Sequence, residues 1–198
     1  MKILAFADIH GDRKRAKEHA EWARRENVDL VVICGDISKD DEDITQLLGV
    51  FKGMKVLFIP GNHDGFTSAD FWSEMYGFKN LHGKGEVVGD VGFFGCGFAN
   101  VGLTAMTDDE MFEMLKKGYS TVKNAKKKIM LTHNHPSGTT MEKFSHFVPG
   151  SGGVKKALDI FQPEIAFCSH IHEAEGMEEK VGVTKLINVG RRGRILEI

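Results

Sequence analysis

The sequence predicts an α/β fold, a four-layer αββα sandwich in which two mixed β-sheets pack together with helices outside. Three observations lead there. Apolar, strand-like runs alternate with helix-patterned stretches in the first half of the chain; the second half is richer in strand patterns; and the closing stretches supply strands for a second sheet.

Ile3 to Ala7, Leu30 to Ile33 and Val56 to Ile59 are short continuous apolar runs, the pattern of strands buried on both faces. Between the first two, Asp12 is placed to cap a helix carrying Ala16, Ala20 and Ala23 on one face. Ile44, Leu47 and Leu48 give the second crossover an apolar stripe, and the acidic run Asp40 to Asp43 suits the amino terminus of that helix. Downstream, Glu86 to Val88 and Val91 to Phe94 flank Gly89-Asp90, a hairpin turn. Thr107 and Glu110 form a capping-box pattern ahead of Met111, Met114 and Leu115, which mark the buried face. Lys128 to Thr132 reads as a strand leading to His133. Val154, Ala157, Leu158 and Phe161 mark an amphipathic helix, and Ile165 to Cys168 delivers His170. Val183 to Val189 and Arg194 to Ile198 are the closing strands expected to build the second sheet.

Length and composition fit one domain over residues 1–198, with 41% hydrophobic and 27% charged residues and no flexible linker. A formal charge of -2 argues against a dedicated nucleic-acid binder, since duplex affinity comes largely from Lys and Arg neutralising phosphates. Lys126, Lys127 and Lys128, the compact basic run, read as a solvated approach to a strand. No charged leader with a long apolar stretch follows Met1, and no segment approaches the roughly 20 apolar residues of a membrane helix. Cys34 and Cys168 end strand runs, while Cys96 lies in a glycine-rich turn. An odd count without a disulfide framework is expected of reduced, buried thiols in the cytoplasm.

Four polar segments each follow a strand-like run: Asp8-Ile9-His10, Gly35-Asp36, Gly61-Asn62-His63-Asp64 and His170-Ile171-His172. Their side chains are expected to collect along one rim of the sheets. Oxygen and imidazole donors gathered there suit two cations about 4 Å apart, the arrangement that clamps a phosphoryl group for in-line attack. Asp and Asn also form turns at strand ends, but that reading leaves the accompanying histidines unexplained. Thiolates favour softer or structural sites, so the cysteines are not assigned as ligands.

With those residues in hand, the chain resembles the calcineurin-like metallophosphoesterase superfamily across nearly its full length. The motifs also fall in that family's order. Ser169 stands where the pattern has Gly before His170-Ile171-His172, a departure expected to affect the turn more than the ligands. Thr132-His133 with Pro136, the Pro149-Gly150-Ser151 loop, Gln162-Pro163 and Asn188-Val189-Gly190 look most like the small Icc-related predicted phosphoesterases.

The resemblance implies one metal held by Asp8, His10, Asp36 and His172, and a second by Asp36, Asn62, His133 and His170, with Asp36 bridging. The implied cofactor is two divalent ions, Mn foremost, with Fe, Zn, Co or Ni compatible with the same donors. A bridging hydroxide is the expected nucleophile. His63 is assigned to transition-state stabilisation and protonation of the leaving oxygen, with Asp64 orienting it by hydrogen bonding.

Substrate residues are less marked. His135, two residues beyond His133 and the alternative to it as ligand, is placed in the outer shell or at the substrate rim, Ser151 precedes a helix whose amino terminus suits an anion, and Arg191 follows the closing turn. Gly95 to Thr104 and Asn134 to Gly153 are the long loops expected beside the centre. His19, His82 and His146 are read as surface or satisfied histidines, and Phe144 and Phe147 as core.

The expected function is hydrolysis of small phosphomonoesters or phosphodiesters, with the substrate as the expected partner and a homo-oligomer left open. Two alternatives are a noncatalytic, phosphoesterase-like protein-binding module and a nuclease. His63 weighs against the module, which has no need of an acid beside a full ligand set. The acidic balance weighs against the nuclease.

Overall fold

In the first half, β1 (Lys2–Phe6), α1 (Arg13–Arg25), β2 (Leu30–Cys34), α2 (Thr45–Leu48), β3 (Val56–Ile59), α3 (Phe66–Tyr76) and β4 (Lys79–Asn80) follow in order. The second half contains β5 (Gly85–Val88), β6 (Val91–Cys96), α4 (Asp108–Val122), β7 (Lys127–Thr132), α5 (Gly152–Phe161), β8 (Ile165–Cys168), β9 (Glu178–Val181), β10 (Thr184–Asn188) and β11 (Arg194–Glu197). This computed structural model describes residues 1–39, 45–102, 104–145 and 148–198. The acidic run Asp40 to Asp43, Ile44, His146 and Phe147 lie outside the described residues.

The strands form a five-stranded sheet ordered β11-β1-β2-β3-β4 and a six-stranded sheet ordered β5-β6-β7-β8-β10-β9. β1 to β4 run parallel, as do β6, β7, β8 and β10, while β11, β5 and β9 add antiparallel edges. Successive strand residues point to opposite faces. Ile3, Ala5, Leu30, Val32 and Leu57 therefore meet Phe93, Ile129, Leu131 and Phe167 between the sheets. Leu4, Phe6, Val31, Ile33 and Phe58 face α1 and α3 on one outer side. Phe94, Met130, Ala166 and Leu186 face α4 and α5 on the other. Burial on both faces is why these strands read as unbroken apolar runs. The result is the predicted αββα sandwich.

Local chemistry sets the helix starts. Asp12 accepts from the Arg15 N–H at 2.9 Å, and Ala16, Ala20 and Ala23 let α1 lie close on its sheet. Thr107 and Glu110 complete the capping box of α4. Met111 and Leu115 are buried beneath it as expected.

Three sequence expectations change. Val183 to Val189 contains β10 of the second sheet, but the last strand returns to the first, where β11 pairs antiparallel with β1. Cys96 ends β6 rather than occupying a turn. Phe144 is 46% exposed rather than core, because it closes a short 3-10 turn at the surface. No helix among the described residues is long and apolar enough to cross a membrane.

Candidate metal centre

Parallel strands share a direction, so the loops after β1, β2, β3, β7 and β8 open on one rim, the place where open α/β sheets present their ligands. Backbone pairing continues past the strand ends: Asp8 N–H donates to Gly35 O at 3.0 Å and His10 N–H to Asp36 O at 2.9 Å. Asp8, His10, Asp36 and His170 all have left-handed backbones, at φ 54°, 43°, 50° and 72°. Such geometry costs of order 1–3 kcal/mol at a non-glycine residue and gathers where function requires it. Here it turns four polar side chains inward at the rim.

Close approach of the loops depends on glycine. A Cβ at Gly61 would fall 2.1 Å from Asp36 Oδ1, and one at Gly35 would fall 2.5 Å from His133 Nδ1. Gly35 also has φ 91°, so two independent constraints exclude a side chain there.

Three groups of side chains bring ligand atoms within 4.8 Å of one another: Asp8, His10 and His172; His10, Asp36 and His63; and Asp36, His133 and His170. Asp36 Oδ2 lies 3.7 Å from His10 Nε2 and 3.3 Å from His133 Nε2. His172 Nε2 is 4.0 Å from Asp8 Oδ2 and 3.4 Å from His10 Nε2. Asn62 Oδ1 approaches His133 Nε2 to 3.0 Å. Two donors each about 2.1 Å from one cation lie at most about 4.2 Å apart, so these separations suit shared coordination shells. His10 also packs edge-on against His63, with ring centroids 5.0 Å apart.

Unpartnered atoms point the same way. Both Asp8 carboxyl oxygens and His170 Nε2 are buried without a hydrogen-bond partner among the described residues. A buried charge left alone costs several kcal/mol, whereas a coordinated cation satisfies it. The donor set therefore fits divalent metal ions.

Electrostatics prepare most of the donors. Burial, only partly offset by Asp36, lowers His10 to about 4, and burial with His133 nearby lowers His170 to about 3, leaving both rings neutral with a free lone pair near pH 7. Burial opposes ionisation of Asp36, but His133 and the hydrogen bonds it receives hold it well below the usual carboxylate range. Burial raises Asp8 to about 6, despite the pull of His133. His133 behaves oppositely: burial disfavours its charge, yet Asp36 lifts it to about 9. A cation among the same acceptors would take the place of that ring proton.

Asp64 corrects a sequence expectation. Its fully engaged carboxylate accepts from Ile37 N–H at 3.1 Å, Ser38 N–H at 2.8 Å, Gly61 N–H at 2.8 Å and the Ser38 hydroxyl at 2.8 Å. It ties the Gly35-Asp36 loop to the Gly61-Asp64 loop instead of hydrogen-bonding the His63 ring. The His63 backbone N–H is held by Asp36 Oδ1 at 3.0 Å, while its side chain is exposed at the mouth. Ser38 was not anticipated as part of this clamp; a polar residue two positions after Asp36 was its only signal.

The substrate residues named from sequence divide. His135 is fully buried, with both ring nitrogens unpartnered among the described residues and its pKa lowered to about 4 by burial. Ser151 is also fully buried, but its hydroxyl accepts from Val154 N–H at 3.2 Å and donates to Asp108 Oδ1 at 2.6 Å. The anion at that helix start is thus the chain's own Asp108. Arg191 lies just past Gly190, whose carbonyl accepts from Ala7 N–H, and its guanidinium pairs with Asp12. Ser151 and Arg191 are thus both engaged by the chain's own carboxylates. Among the other histidines, His19 stacks on Phe6 and meets Arg191 O at 3.0 Å, and His82 Nδ1 accepts from Gly97 N–H at 3.1 Å.

Similar architecture occurs in solved structures. The protein TT1561 of Thermus thermophilus aligns with a TM-score of 0.76 at 16% identity, covering 98% of this chain and 97% of that one. Phosphopantetheinyl hydrolase from Mycobacterium tuberculosis aligns at 0.67 with 12% identity, covering 96% and 88%. An archaeal phosphodiesterase aligns at 0.57 with 16% identity, covering 96% and 84%. A search of curated proteins found no match. The sequence profile of the calcineurin-like phosphoesterases matches residues 1–174, which takes in every strand-end motif around the rim. The chain belongs to the calcineurin-like phosphoesterase family.

Proposed function

We propose that this protein is a dinuclear-metal phosphoesterase that hydrolyses phosphomonoesters or phosphodiesters of small molecules. One observation carries the reading: a single oxygen, Asp36 Oδ2, stands within 4 Å of histidines from both ligand groups, 3.7 Å from His10 Nε2 and 3.3 Å from His133 Nε2. Asp8, His10, Asp36 and His172 would hold one ion; Asp36, Asn62, His133 and His170 would hold the other. Bound there, two divalent cations would supply positive charge to the phosphoryl oxygens and acidify a water for in-line attack.

The chain's own groups do the rest. Asp36 would offset repulsion between the cations, and Asn62 would offer a neutral amide oxygen that adds no charge against an anionic substrate. His63, exposed beside His10, is placed to donate a proton to the leaving oxygen. His135, fully buried with both ring nitrogens unpartnered among the described residues, fits the outer shell better than the substrate rim. Arg191 would have to exchange Asp12 for a substrate phosphate. Mn is the favoured metal, with Fe, Zn, Co and Ni accepted by the same oxygen and nitrogen donors. Three free, buried cysteines support a reducing, cytoplasmic setting.

The test is hydrolysis of p-nitrophenyl phosphate and bis-p-nitrophenyl phosphate by metal-stripped protein before and after each of these ions is restored. Hydrolysis that returns with metal is expected, and the faster ester assigns monoesterase or diesterase chemistry. Silence toward both esters with every metal would overturn the reading.

A further inference from the structure

Ser169 was expected to affect the turn before His170 more than the ligands, yet its side chain reaches a candidate ligand, His133. It is fully buried, at 0% exposure. Its Oγ donates to Cys34 O at 2.8 Å and lies 3.0 Å from His133 Nδ1, which is itself 2.9 Å from the same carbonyl. These three groups come from the ends of β2, β7 and β8, so the contact also joins the two sheets at the rim.

The hydrogen arrangement follows from what each atom can do. A carbonyl oxygen only accepts, so the short Cys34 contact requires a hydrogen on His133 Nδ1. The Ser169 hydroxyl has one hydrogen, which goes to Cys34 O; its lone pairs then face the Nδ1–H. That N–H is shared between two acceptors on neighbouring sides, which resists rotation of the ring about its Cβ–Cγ bond. The opposite nitrogen, Nε2, is left aimed at Asn62 Oδ1 and Asp36 Oδ2.

We propose that Ser169 is a positioning residue that locks the His133 ring through Nδ1 and so strengthens binding of the metal ion held by Asp36, Asn62, His133 and His170. The inference rests on the dinuclear reading above. Outer partners of ligating histidines typically contribute about 10–100-fold in metal affinity. The Cys34 carbonyl keeps its bond to His133 when the hydroxyl is removed, so the fold is expected to tolerate the change.

Ser169→Ala and Ser169→Gly, both lacking the hydroxyl, test this against the parent protein by calorimetric titration with Mn. The parent is expected to bind two ions. In both variants one binding step should weaken about tenfold and the other remain in place, with the melting temperature nearly unchanged. Before metal is added, 15N-edited NMR should show an exchange-protected His133 Nδ1–H in the parent and a faster-exchanging one in the variants. Unchanged affinity for both ions in both variants would overturn the positioning role while leaving the dinuclear reading intact. Equal weakening of both steps with a fall in melting temperature would reassign Ser169 to general structure. A parent protein that binds no metal would overturn both inferences.

Discussion

Asp36→Asn is expected to lower metal-restored hydrolysis by about a thousandfold, which corresponds to ~4 kcal/mol of lost transition-state stabilisation. The amide preserves the shape of the side chain and can still accept from the His63 N–H, which Asp36 Oδ1 holds at 3.0 Å. Only the charge disappears. Unit charges 4 Å apart interact by about 4 kcal/mol at an effective dielectric of 20, and two dications roughly four times that, so two ions held that close would need an anion between them. Asp36 is suited to the task because His133 and its hydrogen bonds overcome the penalty of burial and keep it ionised far below neutral pH. Metal analysis of the variant should show fewer ions per chain, with circular dichroism unchanged. Retention of more than about a tenth of the parental rate would remove Asp36 from its bridging role.

A different signature is expected for His63→Ala. Its ring is exposed and meets His10 edge-on at 5.0 Å, so removing it should leave the core intact. General acid catalysis contributes about 10²–10⁴-fold, and kcat should fall within that range while metal content holds. The size of the fall should depend on the leaving group. p-Nitrophenolate departs with little help from an acid, whereas an alkoxide requires protonation, so alkyl esters should suffer the larger defect. Equal losses for aryl and alkyl esters would instead assign His63 to binding the phosphoryl group. Loss of metal in the variant would make it a ligand, a role its grouping with His10 and Asp36 makes worth excluding directly.

The legibility of the molecule in its sequence follows burial. β1, β2 and β3 are buried on both faces, so Ile3 to Ala7, Leu30 to Ile33 and Val56 to Ile59 carry continuous apolar signals. α1, α4 and α5 carry capping side chains at Asp12, Thr107 and Ser151, and each start is readable. α3 has neither aid. Gly65 supplies no side-chain cap, and Phe71 and Met75 are about half exposed while Ala69 and Trp72 are buried, so its apolar residues extend beyond one stripe. β9 escapes because Glu178, Glu179 and Lys180 dominate an edge strand that alternates between half-buried and exposed positions. The destination of β11 cannot be read locally at all: pairing with β1 joins residues such as Lys2 and Glu197, separated by nearly the whole chain.

The site divides in a similar way. Its polar motifs were legible because they follow strands and carry Asp, Asn and His, whose side-chain type limits the chemistry they can offer. Supporting contacts depend on how the loops meet in space. Asp64 belongs to the same short motif as His63, but beyond Gly61 its partners, Ile37 and Ser38, come from the preceding strand's loop. Ser169 adjoins His170 yet acts on His133, 36 residues earlier. Ser151 misleads for the converse reason: a serine before a glycine-rich helix start suits an anion, and only the fold reveals that Asp108 already occupies that position.

The most direct test of the dinuclear account is to titrate metal-stripped protein with Mn while measuring bound ions per chain and the hydrolysis rate together. The account predicts that the rate reaches its plateau at two ions per chain, with electron paramagnetic resonance showing an exchange-coupled pair. Full rate at one ion per chain, or two ions without magnetic coupling, would contradict it.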